Sequence, residues 1–464
     1  MTLVVQAGTV VTMDADRRVI RDGVVVVDGE QITAVGPAAD VLATVEPGTE
    51  VHHLPDGLLL PGMVDGHQHL TGDRLVRASI PDDIDSQAAI FEWAVPIHEH
   101  HRADDDELSA TLTAVEAACN GVTTLVEAGT VAHPDRAAAG MAAVGVRGTI
   151  GTWGWDVPGV PYGGSTAEVL DRQAALLDRF PPGGLVRGWV TLVGHDLMSD
   201  ELLVGASDLA RQRGTGLTFH ISPHDRDAVA WLERTGRRPV VHFQQLGALG
   251  PHVLLAHAVH LDDAEVEAVL ATGTAVVSCP WAYLRLGQGM TGAARHWDML
   301  ADPRGRLALG CDSENAGDQV DILRAAALFA GLGRDVESDA QRLGAHAALE
   351  LATVRGAEAV GLGDVTGALV PGLAADLVLF DGSGPEWTPP GTDPALQLVW
   401  GTDGRSVRDV MVAGRWIVRD RRPTQVDLDA LRVAASEARA ALVARSGVQP
   451  TTRWPTVDAA APYS

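Results

Sequence analysis

The sequence predicts an α/β protein: a (β/α)8, TIM-like barrel over residues 58–366, with a small β-sandwich domain built from both chain ends (1–57 and 367–425) and a C-terminal helix and tail over 426–464. Three observations predict it. Short apolar runs alternate with Ala-rich helical stretches through the middle of the chain, the pattern of a parallel sheet covered by helices. β-branched runs broken by Gly and Asp occupy both ends. The length, 464 residues, suffices for a barrel of more than about 200 residues and a second unit.

The elements follow in chain order. "TLVVQAGTVVTM" (2–13), "GVVVVDGEQITAVG" (23–36) and "EVHHLPDG" (50–57) read as strands, with "DGE" as a hairpin-type turn. Eight barrel strands are then expected at "GMVDGH" (62–67), "GVTTLVEAG" (121–129), "GVRGTIG" (145–151), "LVRGWVTLV" (185–193), "GLTFHIS" (216–222), "HVLLAHAV" (252–259), "TAVVSCP" (274–280) and "RLALGCDS" (306–313). Helical patterns such as "STAEVLDRQAALLDRF" (165–180) and "DDAEVEAVLATG" (262–273) lie between them. Strand signals return at "DLVLFDG" (376–382) and "VRDVMVAGRWIVRD" (407–420), and residues 426–447 read as one exposed amphipathic helix before an extended tail.

Composition narrows the function. Hydrophobic residues are 46% and charged residues 21% of the chain, and the net charge is −26. Such an acidic surface makes nucleic acid and anionic membranes poor partners. No apolar run reaches the roughly 18 residues of a membrane span, and no basic stretch precedes an apolar core at the N-terminus. The three cysteines, Cys119, Cys279 and Cys311, are too scattered for a disulfide framework or a Cys-rich zinc site. A reducing, cytoplasmic setting, a small-molecule substrate and a homo-oligomer are the expectations.

The chemistry lies in where polar residues fall. In a strand alternate side chains share a face, so His67 and His69 aim two imidazoles at one point. His220 ends the fifth barrel strand, His257 the sixth and Asp312 the eighth. In such barrels the C-terminal strand ends carry the active site. Four imidazoles and one carboxylate converging there suit one divalent metal ion with an open position, zinc first, or iron, manganese or cobalt.

With these residues in view, "LPGMVDGHQH", "HVLLAHAVHLDD" followed by "GTAVVSCPWAYLRLGQG", "LALGCDS" and the re-entry segment "GALVPGLAADLVLFD" resemble the amidohydrolase superfamily, in its branch of metal-dependent deaminases and triazine hydrolases. The resemblance implies that His67, His69, His220 and Asp312 hold the metal, that His257 polarises the substrate or a developing oxyanion, and that Asp312 doubles as the base for the attacking water. A metal lowers the pKa of bound water from about 15.7 towards 7, giving hydroxide at neutral pH.

Two departures refine that expectation. The chain contains no Lys, so the carbamylated lysine that bridges two metals in many members of the superfamily is impossible; either one metal binds or a carboxylate does the bridging, and one metal is expected. Ring deaminases of this type usually carry Glu three residues after the strand-5 His. Here the run is "FHISPHDRD", and Pro223 takes that place. His224 or Asp225 is then the candidate proton carrier, and an amide, carbamate, urea or amidine-like bond becomes the expected target. Deamination or dehalogenation of a purine, pyrimidine or triazine is the alternative, and a non-catalytic metal-binding relative a third.

Around the centre, His195, Trp153, Trp155, Ser313 and Glu314 are candidate substrate contacts. Glu127 is expected to orient a neighbouring ligand. His260 is expected to be structural. The cluster "HEHHRADDDE" (98–107) reads as an exposed loop before a helix with an acidic first turn.

Overall fold

The computed structural model describes residues 2–450 and 452–455; the end of the expected tail, 456–464, lies outside the described residues. Four N-terminal strands, β1 (Thr2–Val11), β2 (Val19–Asp28), β3 (Gln31–Pro37) and β4 (Glu50–Pro61), precede the barrel. The barrel strands are β5 (Met63–Gln68), β6 (Val122–Glu127), β7 (Arg147–Ile150), β8 (Val186–Gly188), β9 (Val190–Gly194), β10 (Leu217–Ile221), β11 (Val253–His257), β12 (Ala275–Ser278) and β13 (Arg306–Leu309). After them come β14 (Leu377–Phe380), β15 (Val407–Val412), β16 (Arg415–Arg419) and β17 (Arg422–Pro423).

Every barrel run expected from the sequence forms a strand, and the fourth breaks in two at Trp189. The amide of Trp189 donates to Ile150 on one side, and that of Val190 donates to Gly216 on the other. The barrel therefore consists of two parallel ladders, β5-β6-β7-β8 and β9-β10-β11-β12-β13. β13 also packs beside β5 without a ladder. The close approach at that seam needs Gly66: a Cβ there would stand 2.9 Å from the Ala308 methyl. Past the strand ends the amide of Asp312 donates to the His67 carbonyl at 2.9 Å, so the seam is pinned at the functional end.

The covering helices carry the expected stop and start signals. Ser165, Ser199 and Asp262 cap helices Thr166–Arg179, Asp200–Arg213 and Asp263–Thr272 through side chains that accept the amide three residues on. Gly214 and Gly273, both left-handed, end the last two.

The terminal unit is built from strands of both chain ends, as expected. Its eight strands form one hydrogen-bonded sheet in the order β17-β16-β15-β14-β4-β1-β2-β3. The sheet curls, because the amide of Ile32 on its β3 edge reaches the Leu373 carbonyl just before β14. Val5, Val25, Ile32, Leu59, Leu377 and Met411 share the core that the curl encloses, so one sheet buries what two stacked layers would. β4 crosses the expected boundary at 57/58 and leads straight into β5. On the barrel side Phe380, Val407 and Val410 join the main core. A buried two-pronged ion pair also crosses to the barrel: Arg147 of β7 donates to Asp376 at 2.8 and 3.1 Å.

The C-terminal helix Leu428–Ser446 lays Leu442 against Leu75, Val76 and Ile97, in the segment that follows β5. Among the described residues no helix is long and apolar enough to cross a membrane.

Candidate active site

The four sequence-predicted ligands, His67, His69, His220 and Asp312, meet the expected catalytic His257 at one barrel mouth. One ligand atom from each of His67, His220 and His257 lies within 4.8 Å of the others, and the same holds for His67, His69 and Asp312. His69 Nε2 is 3.3 Å from both Asp312 Oδ1 and His220 Nε2. His67 Nε2 is 3.8 Å from Asp312 Oδ1.

Backbone geometry aims these side chains. His257 and Asp312 sit at φ 72° and 65°, left-handed values that non-glycine residues rarely adopt. His195 and Ser222, at φ 51° and 45°, do the same at neighbouring strand ends. Such strain concentrates at functional sites because the surrounding fold over-determines it.

The donor chemistry fits a divalent ion. His220 Nδ1 donates to the Val193 carbonyl at 2.7 Å, which leaves the Nε2 lone pair facing inward. His69 Nδ1 pairs with Thr130 Oγ1 at 2.8 Å, which fixes the ring with Nε2 towards Asp312. Both ring nitrogens of His67 and Nδ1 of His257 are buried with no hydrogen-bond partner among the described residues. Buried polar atoms are rarely left so, and a cation among them would use the lone pairs.

Electrostatics agree. Burial holds His67 and His220 well below the ordinary imidazole value, against the pull of Asp312 on His67. Burial pushes His257 down to about 4. Burial works to raise Asp312, but the hydrogen bond from His69 and the nearby imidazoles outweigh it and keep the carboxyl well below its usual range. Neutral His67, His220 and His257 beside an ionised carboxylate are ready for a metal. At His69 the hydrogen bond and charge of Asp312 outweigh burial and raise the proton affinity, so this ring would release its proton on ligation.

A second circle steers the first. Glu127, buried at the end of β6, accepts the amides of Gly129 at 2.7 Å and Thr130 at 3.1 Å, and so fixes the hydroxyl that orients His69. Asp65 does similar work between β5 and the β13 end, accepting the amides of His67 at 3.0 Å and Cys311 at 3.1 Å. Burial pushes both carboxyls up to about 7, against those hydrogen bonds. Thr130→Val, which keeps the shape and removes the hydroxyl, should weaken zinc binding by about 10–100-fold, the usual cost of losing such a partner. Competition with a fluorescent zinc chelator measures it; unchanged affinity would refute the role.

The cavity above the centre, about 100 Å³, is lined by Trp153, Trp155, His195, Ser313 and Pro223 among others. Trp153 and Trp155 stack at 4.9 Å between ring centroids. His195 stacks on His220 at 5.0 Å, with Nδ1 3.7 Å from Asp227.

Three expectations meet a different arrangement. His224 is not among the cavity-lining residues; its Nε2 pairs with Ser86 Oγ at 2.6 Å because the chain turns away after Pro223. Asp225 opens helix Asp225–Thr235 and pairs with Arg238. Glu314 points away from the cavity, where Oε1 accepts from Arg74 at 3.3 Å and Thr113 at 3.2 Å. The "HEHH" stretch is no exposed loop: His98 and His101 are buried, and His98 faces the cavity beside Asp73. Sequence reasoning missed Asp65, Asp73 and Thr130; Asp65 shares the alternation of His67 and His69 on β5 and could have been found by it, while Asp73 and Thr130 lie in loops past the strand ends. His260, expected to be structural, pairs through Nε2 with the Gln288 carbonyl at 2.8 Å.

A barrel with this centre at its strand ends defines a metal-dependent hydrolase. The Amidohydrolase family profile matches residues 58–417, and the chain belongs to that family. It is a hydrolase of carbon–nitrogen bonds other than peptide bonds. The 5-methylthioadenosine/S-adenosylhomocysteine deaminase of Syntrophobacter fumaroxidans is 28% identical over 422 residues, 91% of this chain and 94% of that protein. The 5'-deoxyadenosine deaminase of Methanosarcina mazei is 27% identical, over 96% of this chain and 99% of its own length. Among solved structures, a zinc-bound adenosine deaminase from Xanthomonas campestris superposes with a TM-score of 0.89 at 26% identity, covering 95% of this chain and 98% of that one. The zinc complex of atrazine chlorohydrolase from Arthrobacter aurescens shares the fold, with a TM-score of 0.85 at 21% identity over 94% of this chain and 100% of its own.

Proposed function

We propose that this protein hydrolyses an amide, carbamate, urea or amidine-like bond in a small, flat molecule. The observation that carries the proposal is Pro223. It lines the cavity where a ring deaminase needs a carboxylic acid, and neither His224 nor Asp225 turns inward to replace it. A cavity of about 100 Å³ favours a small substrate, since drug-sized ligands occupy roughly 300–1,000 Å³.

His67, His69, His220 and Asp312 hold one divalent ion in this reading. What the ion supplies when bound is Lewis acidity, which lets water attack at neutral pH. Asp312, kept ionised, takes the proton of the attacking water. His257, kept neutral by burial, donates a hydrogen bond to the developing oxyanion. The stacked Trp153 and Trp155 press one face of the substrate and exclude water.

The zinc-loaded protein should release an amine together with a carboxylic acid or CO₂ from such substrates, identified by mass spectrometry of a mixed library. Ammonia from an aminated heterocycle would instead establish deamination, the reading that the activities of the relatives favour. Turnover of neither class would refute both. Because the chain has no Lys, metal analysis should find one ion per chain. The intact native mass should show that ion and no carbamate adduct.

A further inference from the structure

One cavity-facing pair stands outside the metal cluster. His98 lies on the short helix Val95–Glu99, entered through a π-helical turn at Ala89–Ala94, a geometry frequent at functional sites. Its Nε2 is 3.6 Å from Asp73 Oδ1, and that oxygen is buried with no hydrogen-bond partner among the described residues. Both residues line the cavity. The backbone is shaped to the ring: a Cβ on Gly72 would stand 2.5 Å from His98 Cε1. The Trp153 ring meets His98 edge to face at 5.3 Å.

Behind it the His101 ring lies parallel at 5.7 Å. His101 Nδ1 pairs with Asp106 Oδ1 at 2.8 Å, and Asp106 Oδ2 with His133 Nδ1 at 3.0 Å. His133 is 37% exposed, so this file of titratable groups runs from the cavity wall to solvent.

We propose that His98, held by Asp73, is the general acid that protonates the leaving nitrogen and fills the role vacated at Pro223. The inference rests on the hydrolytic reading above. The water oxygen bonds to the carbonyl carbon while its proton passes to Asp312. The carbon–nitrogen bond breaks with its electron pair on nitrogen, and nitrogen takes the proton of His98. Asp312 then releases one proton to solvent and His98 takes one up, so one water is consumed and no net proton. The charged and titratable groups facing His98 are Asp73 and His101, with His69 at longer range. Burial holds His98 below the ordinary imidazole value, and the contact with Asp73 and its charge work against it.

The test is the dependence on leaving group. With zinc-loaded protein, His98→Gln should lower kcat/KM about 10²–10³-fold for acetanilide, whose amine leaves poorly, and only a few-fold for 4-nitroacetanilide. Equal losses, or none, would overturn the proposal. Zinc content and melting temperature of His98→Gln and His98→Asn separate this from misfolding. If the wild type cleaves neither anilide, the hydrolytic reading fails on these probes, and a second measurement decides the role of His98. In ¹⁵N-histidine NMR, aniline should shift the His98 ring signals, and Asp73→Asn should alter that shift. Unmoved His98 signals up to the solubility limit of aniline would overturn it.

Discussion

Asp312→Asn should lower kcat/KM by at least about 10³-fold while the chain stays folded. The reason is the position of this carboxylate. Its Oδ1 is within 3.8 Å of two imidazoles, and its amide pins the barrel seam through His67. The amide remains in the Asn variant, so the seam survives. The anionic ligand and the proton acceptor are lost together. General base catalysis alone is worth about 10²–10⁴-fold, and 10³-fold corresponds to about 4 kcal/mol of transition-state stabilisation. Steady-state kinetics with elemental analysis checks this. A variant that retains full rate with full metal content would remove Asp312 from the mechanism. His67→Ala should go further and lose the metal, because this imidazole belongs to two of the three groups of converging donors and both its ring nitrogens are buried without a hydrogen-bond partner among the described residues.

Arg147→Met should cost about 3–5 kcal/mol of stability, the usual penalty for breaking a buried ion pair from one side. Arg147 is 6% exposed and Asp376 1%. Once the guanidinium is gone, the side-chain partner left to Asp376 is the amide of Ala413 at 2.8 Å. The penalty is that of an uncompensated buried charge, so Arg147→Met with Asp376→Leu should recover much of the loss. Urea unfolding of both variants measures it. A single variant as stable as the wild type would show that the pair does not join the barrel to the terminal sheet energetically. The metal centre, at the opposite strand ends from Arg147, should keep its zinc affinity in the folded variant.

The site was legible from the chain to an uneven degree. His67, His220 and His257 stand out because each falls in the last two positions of a short apolar strand, His69 because it continues the alternation of His67 one residue past β5, and Asp312 because it follows the apolar run of β13. In a parallel barrel every strand end reaches the same mouth, so convergence follows from chain order. Glu127 was readable for the same reason. His224 and Glu314 were not. Each follows a strand end by a few residues, where no period constrains direction, and Ser86 and Arg74 draw them away from the cavity. His98 was misread because "HEHHRADDDE" is polar throughout, and polarity alone suggests solvent. Its burial depends on Trp153, Asp73 and the helix Leu428–Ser446, which lie far from it in sequence.

By itself the sequence determined the strand–helix alternation, the ligand types and their arrival at one barrel end, and, through the missing Lys, the impossibility of a carbamate bridge. Those properties are local, set by side-chain period and residue chemistry. Only the tertiary structure decided that the terminal strands form one curled sheet, that His257 and Asp312 take left-handed backbone angles, and that His98 joins the cavity while His224 leaves it. Such outcomes depend on contacts between segments distant along the chain, and the direction of a loop side chain is fixed only when those contacts form.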